Sequence, residues 1–122
     1  MNANYKGTIL GLQPIKSTGA NTVYAKVEGR CDFWNATIFA EYRNSVIKLQ
    51  FVWENQKLDI LLIDQGKGNY SGRIFLDGDF EDDYGTVSVK MLNSGNEIML
   101  IGDYSEDVNG LYSCFIELRP MG

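Results

Sequence analysis

Residues 47–53 read IKLQFVW, and this stretch decides the fold class of the chain. Its apolar positions are Ile47, Leu49, Phe51 and Trp53, and the residues between them are mostly polar. Successive side chains of a β-strand point to opposite faces, so the pattern predicts one face on a core and the other in water. One-sided strands of this kind are typical of antiparallel rather than parallel sheets.

The same period of two recurs along the chain. It appears between turn signals rich in glycine, asparagine and aspartate, and together these features predict nine strands. No window of a dozen residues has the 3.6-residue period of an amphipathic helix. The predicted strands cover residues 5–12, 21–31, 34–42, 45–53, 58–63, 70–76, 85–92, 96–103 and 110–118.

The connections between these strands are mostly short. Short connections make consecutive strands antiparallel, which gives an up-and-down meander. Closing such a sheet removes both of its edges and buries its inner face. We therefore predict a single all-β domain over residues 1–122, built as an antiparallel up-and-down β-barrel of about 8–9 strands. A two-sheet β-sandwich is the alternative.

Length and charge narrow the class of protein. The 122 residues suit one domain with a full core, and no apolar run reaches the roughly 18 residues of a membrane span. No leader-like N-terminus is visible, so we expect a cytoplasmic protein, or one whose leader has been removed. Cys31 and Cys114 do not make a disulfide framework and are interpreted as buried thiols. The net charge of −5 argues against nucleic acid and anionic membranes as partners.

The residue types needed for most enzyme mechanisms are missing. The sequence contains no histidine, which excludes Ser-His-Asp and Cys-His arrangements and removes the commonest zinc ligand. Residues 77–81 have the Asp-x-Asp-x-Glu spacing of a calcium loop, but Asp82 and Ser88 replace the glycine and glutamate that complete one. We predict a non-enzymatic protein with no catalytic residue, no metal and no cofactor.

The acidic residues are distributed unevenly over the predicted connections. In a meander, alternate connections lie at the same end, so those after the second, fourth, sixth and eighth strands share one end. The connections with Lys16, Arg43 and Lys67 share the other end. A negative rim of this kind attracts basic partners. It holds ten of the sixteen acids of the chain: Asp32, Glu54, Asp77, Asp79, Glu81, Asp82, Asp83, Asp103, Glu106 and Asp107.

The leading prediction of function is a binding protein whose acidic rim contacts a basic surface of another protein, as an inhibitor does. Phe80 and Tyr104 stand among the acids and are predicted anchors, because aromatic side chains are enriched in interface hot spots. The predicted partner-binding residues are Asp79, Phe80, Glu81, Asp82, Asp83, Asp103, Tyr104, Glu106 and Asp107.

Two alternatives use other surfaces. A small-molecule carrier would bind an apolar or aromatic ligand inside the barrel, next to Trp34, Trp53 and Tyr112. A structural domain would form a homo-oligomer through apolar residues on the outer strand faces. The outer-face candidates are Phe39, Val52, Leu61, Ile63, Phe75, Met99, Ile101 and Phe115.

In strand number and meander, the predicted outline resembles the small ligand-binding barrels of the lipocalin and avidin type. The first strand carries Gly7-Thr8-Ile9 where lipocalins carry Gly-x-Trp, so the resemblance implies an outline and no binding residues. Size and acidic charge are also similar to those of bacterial immunity proteins and phage anti-defence proteins. This similarity of type implies an inhibitory binding function.

Overall fold

The computed structural model describes residues 3–14, 31–76, 83–106 and 110–121. Eight antiparallel strands close into a barrel in which each strand pairs with the next one along the chain and the last pairs with the first. The predicted up-and-down β-barrel is thus confirmed. The strands are β1 (Ala3–Pro14), β2 (Cys31–Arg43), β3 (Val46–Trp53), β4 (Gln56–Gly66), β5 (Asn69–Leu76), β6 (Asp83–Ser94), β7 (Glu97–Glu106) and β8 (Gly110–Pro120).

Eight of the nine predicted strands correspond to these elements. The predicted strand over residues 21–31 lies outside the described residues, apart from Cys31, which begins β2. β1 and β2 pair directly with each other, from Ala3 opposite Tyr42 to Pro14 opposite Cys31.

Two-residue turns connect several of the hairpins. Asn44 and Ser45 have φ angles of 52° and 68°, and Glu54 and Asn55 have φ angles of 50° and 64°. Positive φ at both central residues defines a type I′ turn, whose twist matches that of the flanking strands. These short turns fix the register of β2 with β3 and of β3 with β4.

The barrel interior is filled by aliphatic side chains. In β3, Ile47, Leu49 and Phe51 are buried while Lys48 and Val52 are exposed, as the alternation in the sequence predicts. Full burial of one such aliphatic side chain stabilises a fold by about 1.5–3 kcal/mol. The most completely buried side chains are Ile9, Ile38, Ile47, Leu49, Leu62, Leu100, Cys114, Ile116 and Leu118.

Two glycines allow neighbouring strands to approach closely. A Cβ atom at Gly72 in β5 would overlap the carbonyl oxygen of Leu61 in β4. A Cβ atom at Gly102 in β7 would overlap the carbonyl oxygen of Ser88 in β6. Glycine at such positions lets strands bend and coil enough to close a small barrel.

One region of the outer face is shielded from water. Asp59 in β4 and Phe75 in β5 are opposite each other in register and are only 2% and 7% exposed. The expectation that Phe75 belongs to an exposed outer patch is therefore wrong. Of the other outer-face candidates, Phe39, Val52 and Ile63 are exposed, and the rest are half-buried.

Candidate functional site

The strand order brings the acidic connections to one end of the barrel. β3, β5 and β7 end there, and β4, β6 and β8 begin there, because consecutive strands run in opposite directions. The connections 54–55, 77–82 and 107–109 therefore all leave from this end, which we call the acidic end. The connections 44–45, 67–68 and 95–96 leave from the opposite mouth, as the sequence analysis predicts for Arg43 and Lys67.

The sequence analysis places the connection that contains Lys16 opposite the acidic end, but the two strand ends that flank this connection lie at the acidic end. Pro14 ends β1 and Cys31 begins β2, and both lie at the acidic end. The prediction inserted a strand between them, which would have reversed the direction of the chain once more. Lys16 itself lies outside the described residues.

Asp103 and Tyr104 belong to a strand wall and not to a connection, because β7 continues to Glu106. Asp103 is exposed on the outer wall and accepts a hydrogen bond from the Ser113 hydroxyl at 3.3 Å. Tyr104 is 6% exposed and belongs to the core, opposite Tyr112 in register. The prediction of Tyr104 as an exposed anchor is wrong, since strand alternation directs its side chain inward.

The remaining predicted partner-binding residues fall at or beyond the strand ends. Asp83 begins β6 and Glu106 ends β7, so their backbones lie at the acidic end, but their side chains are outside the described part. Glu54 lies in the exposed turn between β3 and β4. Five predicted residues lie outside the described ranges altogether, namely Asp79, Phe80, Glu81, Asp82 and Asp107.

A groove of about 450 Å³ runs along the outer wall beside Asp103, across β5, β6 and β7. Its lining includes serine and threonine hydroxyl groups, which can both donate and accept hydrogen bonds. The outer wall next to the acidic end therefore offers polar contacts, which are typical of the rim of a protein interface. The polar lining consists of Ser71, Arg73, Thr86, Ser88, Asp103 and Ser105.

The residues predicted for a ligand inside the barrel also lie towards the acidic end. Trp53 ends β3, and its half-buried side chain packs against the core. Trp34 and Tyr112 lie near the beginnings of β2 and β8, and their side chains are outside the described part. Aliphatic side chains occupy the centre of the barrel, which leaves the predicted ligand site only the mouth of the acidic end.

The opposite mouth contains a cavity of about 550 Å³ that the sequence analysis did not predict. Its apolar lining combines Tyr5, Tyr42, Met91 and Ile98. These side chains come from strands β1, β2, β6 and β7, which surround the mouth. The available signal in the sequence is that each of these residues lies on the apolar face of its strand and close to the strand's end.

A pair of tyrosines stands at this mouth. The hydroxyl groups of Tyr42 and Tyr70 are 2.9 Å apart, and their rings meet edge to face with centroids separated by 6.5 Å. Burial, followed by the hydrogen bond with Tyr42, raises the pKa of Tyr70 well above its usual range. Either hydroxyl group can donate this hydrogen bond, and the raised pKa keeps Tyr70 protonated well into the alkaline range.

Charged side chains around the opposite mouth form pairs of opposite sign. Arg43 Nε lies 2.6 Å from Glu41 Oε1, and Arg119 Nε lies 3.2 Å from Glu97 Oε1. All four side chains are about half exposed or more, so these ion pairs contribute little to stability. These pairs balance positive and negative charge at this mouth, whereas the connections 54–55, 77–82 and 107–109 at the other end contain acidic residues and no lysine or arginine.

Cys114 is a buried thiol, as predicted, and is 1% exposed. Burial, with a smaller contribution from the negative charge of Asp103, raises the pKa of this thiol to about 12, against the opposing effect of a backbone hydrogen bond at Gly102. A protonated thiol is a poor nucleophile and a poor metal ligand. The side chain of Cys31 lies outside the described part.

Neither metal ligands within the described ranges nor similarity to known proteins assigns a function. In the four described ranges, no three potential metal-ligating side chains come together. No helix in that part of the chain has the length and apolar character needed to cross a membrane. No protein-family model matches the sequence, and no curated protein or solved structure matches it either. Function must therefore be argued from geometry and charge.

Proposed function

We propose that this protein is a non-enzymatic binding protein whose acidic end contacts a basic surface of another protein, in the manner of an inhibitor, an immunity protein or an anti-defence protein. One observation carries the proposal: the connections richest in aspartate and glutamate all leave from the same end of a closed barrel. A cytoplasmic location belongs to the same proposal.

The charge arrangement supports fast and selective association. Residues 77–83 alone contain five carboxylates, and residues 103–107 add three more. Charges gathered at one end steer a basic partner into the correct orientation and raise the association rate, whereas the same charges spread evenly would not. The wall beside them supplies the hydroxyl groups of Ser71, Ser88 and Ser105 for short-range hydrogen bonds.

Of the two predicted aromatic anchors, Phe80 remains, because the side chain of Tyr104 is buried in the core. The proposed contact set is therefore Asp79, Phe80, Glu81, Asp82, Asp83, Asp103, Glu106 and Asp107. Aromatic anchors bordered by charged residues are a common composition of interface hot spots. We expect the carboxylates to govern the association rate and Phe80 to govern the dissociation rate.

The test compares two double charge reversals with the same change in net charge. Glu81→Lys/Asp82→Lys alters the acidic end. Glu41→Lys/Glu117→Lys alters exposed positions on the strand walls and serves as the control. The partner is first captured from the native host on the unaltered protein and identified by mass spectrometry. Association rates are then measured at several salt concentrations.

We expect the reversal at the acidic end to slow association by about tenfold or more at low salt and to flatten its salt dependence. The control variant should lose far less, because its altered charges lie outside the proposed interface. Equal effects of the two variants would show that net charge alone matters, and the proposal would then be wrong. Capture that is unchanged by the Glu81/Asp82 reversal would refute it as well.

A further inference from the structure

We infer that the mouth opposite the acidic end is a binding site for a neutral, flat aromatic small molecule that carries a hydrogen-bond acceptor. This site lies at the other pole of the barrel from the proposed protein interface, and it shares no residue with it. The cavity of about 550 Å³ falls within the size range of small-molecule sites, which often occupy the mouths of β-barrels.

The floor and walls of the cavity suit an aromatic ring. Tyr5 and Ile98 are buried members of the core, and Met91 packs against the same core. The unbranched thioether of methionine adapts to differently shaped ligands and makes favourable contacts with aromatic rings. A flat apolar molecule entering the mouth would therefore continue the packing of the barrel interior.

The tyrosine pair provides a hydrogen-bond donor. Two hydroxyl groups carry two protons, and the contact between Tyr42 and Tyr70 uses only one of them. Tyr70 is 4% exposed and Tyr42 lines the cavity. Either hydroxyl group can donate, and the arrangement in which Tyr70 donates to Tyr42 is favoured because Tyr70 is the more deeply buried and a buried hydroxyl proton without an acceptor is costly. The proton of Tyr42 is then available to an acceptor atom of a ligand.

The charges around the mouth favour a neutral ligand. Among the described residues that line the cavity, Glu97 is the charged one, and its carboxylate is paired with the Arg119 guanidinium. Asn93 and Asn96 add amide groups at the rim, where a polar end of the ligand would meet them and water. An ionised ligand would find no uncompensated opposite charge here.

The test uses 6-propionyl-2-(dimethylamino)naphthalene, a neutral aromatic ketone whose emission shifts to the blue when it leaves water. Titration of the full chain should give a saturable blue shift with one site per molecule. Tyr42→Phe keeps the ring but removes the donor, and we expect it to weaken binding about fivefold. Met91→Trp fills the cavity and should abolish the shift.

Trp53→Phe, at the acidic end, is the control and should leave the affinity unchanged. Circular dichroism and thermal unfolding establish that each variant is folded. The absence of a saturable shift with the unaltered protein would overturn the inference. So would a probe that Trp53→Phe releases while Tyr42→Phe and Met91→Trp bind it normally, since that result would place the ligand at the other end. Neither result bears on the acidic end as a protein interface.

Discussion

Gln50 Nε2 donates a 2.7 Å hydrogen bond to Asp59 Oδ1 across strands β3 and β4, and the Asp59 side chain is almost completely buried although it lies on the outer face. A buried acceptor that loses its donor is penalised by its full desolvation. We therefore expect Gln50→Leu to lower the free energy of unfolding by about 1–3 kcal/mol, measured by urea denaturation.

The matched double variant Gln50→Leu/Asp59→Leu separates this penalty from general damage to the strand pair. Replacing both partners by apolar side chains removes the unsatisfied carboxyl group, so the double variant should be more stable than Gln50→Leu alone. A Gln50→Leu variant as stable as the unaltered protein would show that the hydrogen bond has no net value.

Gly72→Ala should be the most damaging methyl addition in β5. The new Cβ atom would overlap the Leu61 carbonyl oxygen, and a backbone atom cannot rotate away as a flexible side chain can. We expect a loss of about 3 kcal/mol or more in unfolding free energy, seen as a large fall in the thermal midpoint. Ser71→Ala, one position earlier, should change stability by about 0.5 kcal/mol at most. Similar losses for both variants would contradict this account of barrel closure.

Ser45→Gly should stabilise the protein. Ser45 has a φ angle of 68°, a left-handed conformation that costs residues other than glycine about 1–2 kcal/mol. Part of that gain is offset by the greater freedom of glycine in the unfolded chain, which leaves a net stabilisation of about 0.5–1 kcal/mol. The same substitution at Ser71, inside a strand, should destabilise by a similar amount. Calorimetry on both variants checks the opposite signs.

Cys114 should resist thiol reagents in the folded protein. Its pKa of about 12 leaves almost no thiolate at pH 8, and its side chain is buried. In a Cys31→Ser background, we expect no reaction with iodoacetamide under native conditions and complete reaction in concentrated urea. Rapid modification of the folded protein would mean that the wall around β8 opens easily.

The same shift in pKa makes stability depend on alkaline pH. The folded protein holds the Cys114 proton more tightly than the unfolded chain does, whose thiol titrates near 9. The contribution of this thiol to stability is therefore complete below about pH 9 and is lost as the pH rises towards 12. Urea titrations at several alkaline pH values should show a shallower decline for Cys114→Ala than for the unaltered protein.

The fold could be predicted from the sequence because its signals are local. The alternation in residues 47–53 and the short turns on either side specify strands and their directions without knowledge of distant contacts. The predicted strand over residues 96–103 ends three residues too early because residues 105–109 have the composition of a turn, although pairing with β6 and β8 carries β7 on to Glu106. Tyr104 was consequently assigned to the surface when it belongs to the core.

The features missed by sequence analysis depend on contacts between distant residues. Tyr42 and Tyr70 are 28 positions apart on strands that are not neighbours, so only the closed barrel brings their hydroxyl groups together. The burial of Asp59 has the same origin. An acidic residue on the outer face of a strand normally faces water, and nothing in the sequence around Asp59 indicates otherwise.

Pairing between β1 and β8 has a consequence for how the molecule is made. Ile9 lies opposite Ile116, so the chain must leave the ribosome as far as β8 before the sheet can close. Until then, the backbone hydrogen-bonding groups of β1 that face β8 have no partner strand. Such an exposed strand edge can pair with the strands of other nascent chains. Proteins dominated by such long-range pairings fold in milliseconds to seconds. Nascent chains of this protein therefore carry an unpaired strand edge throughout that interval.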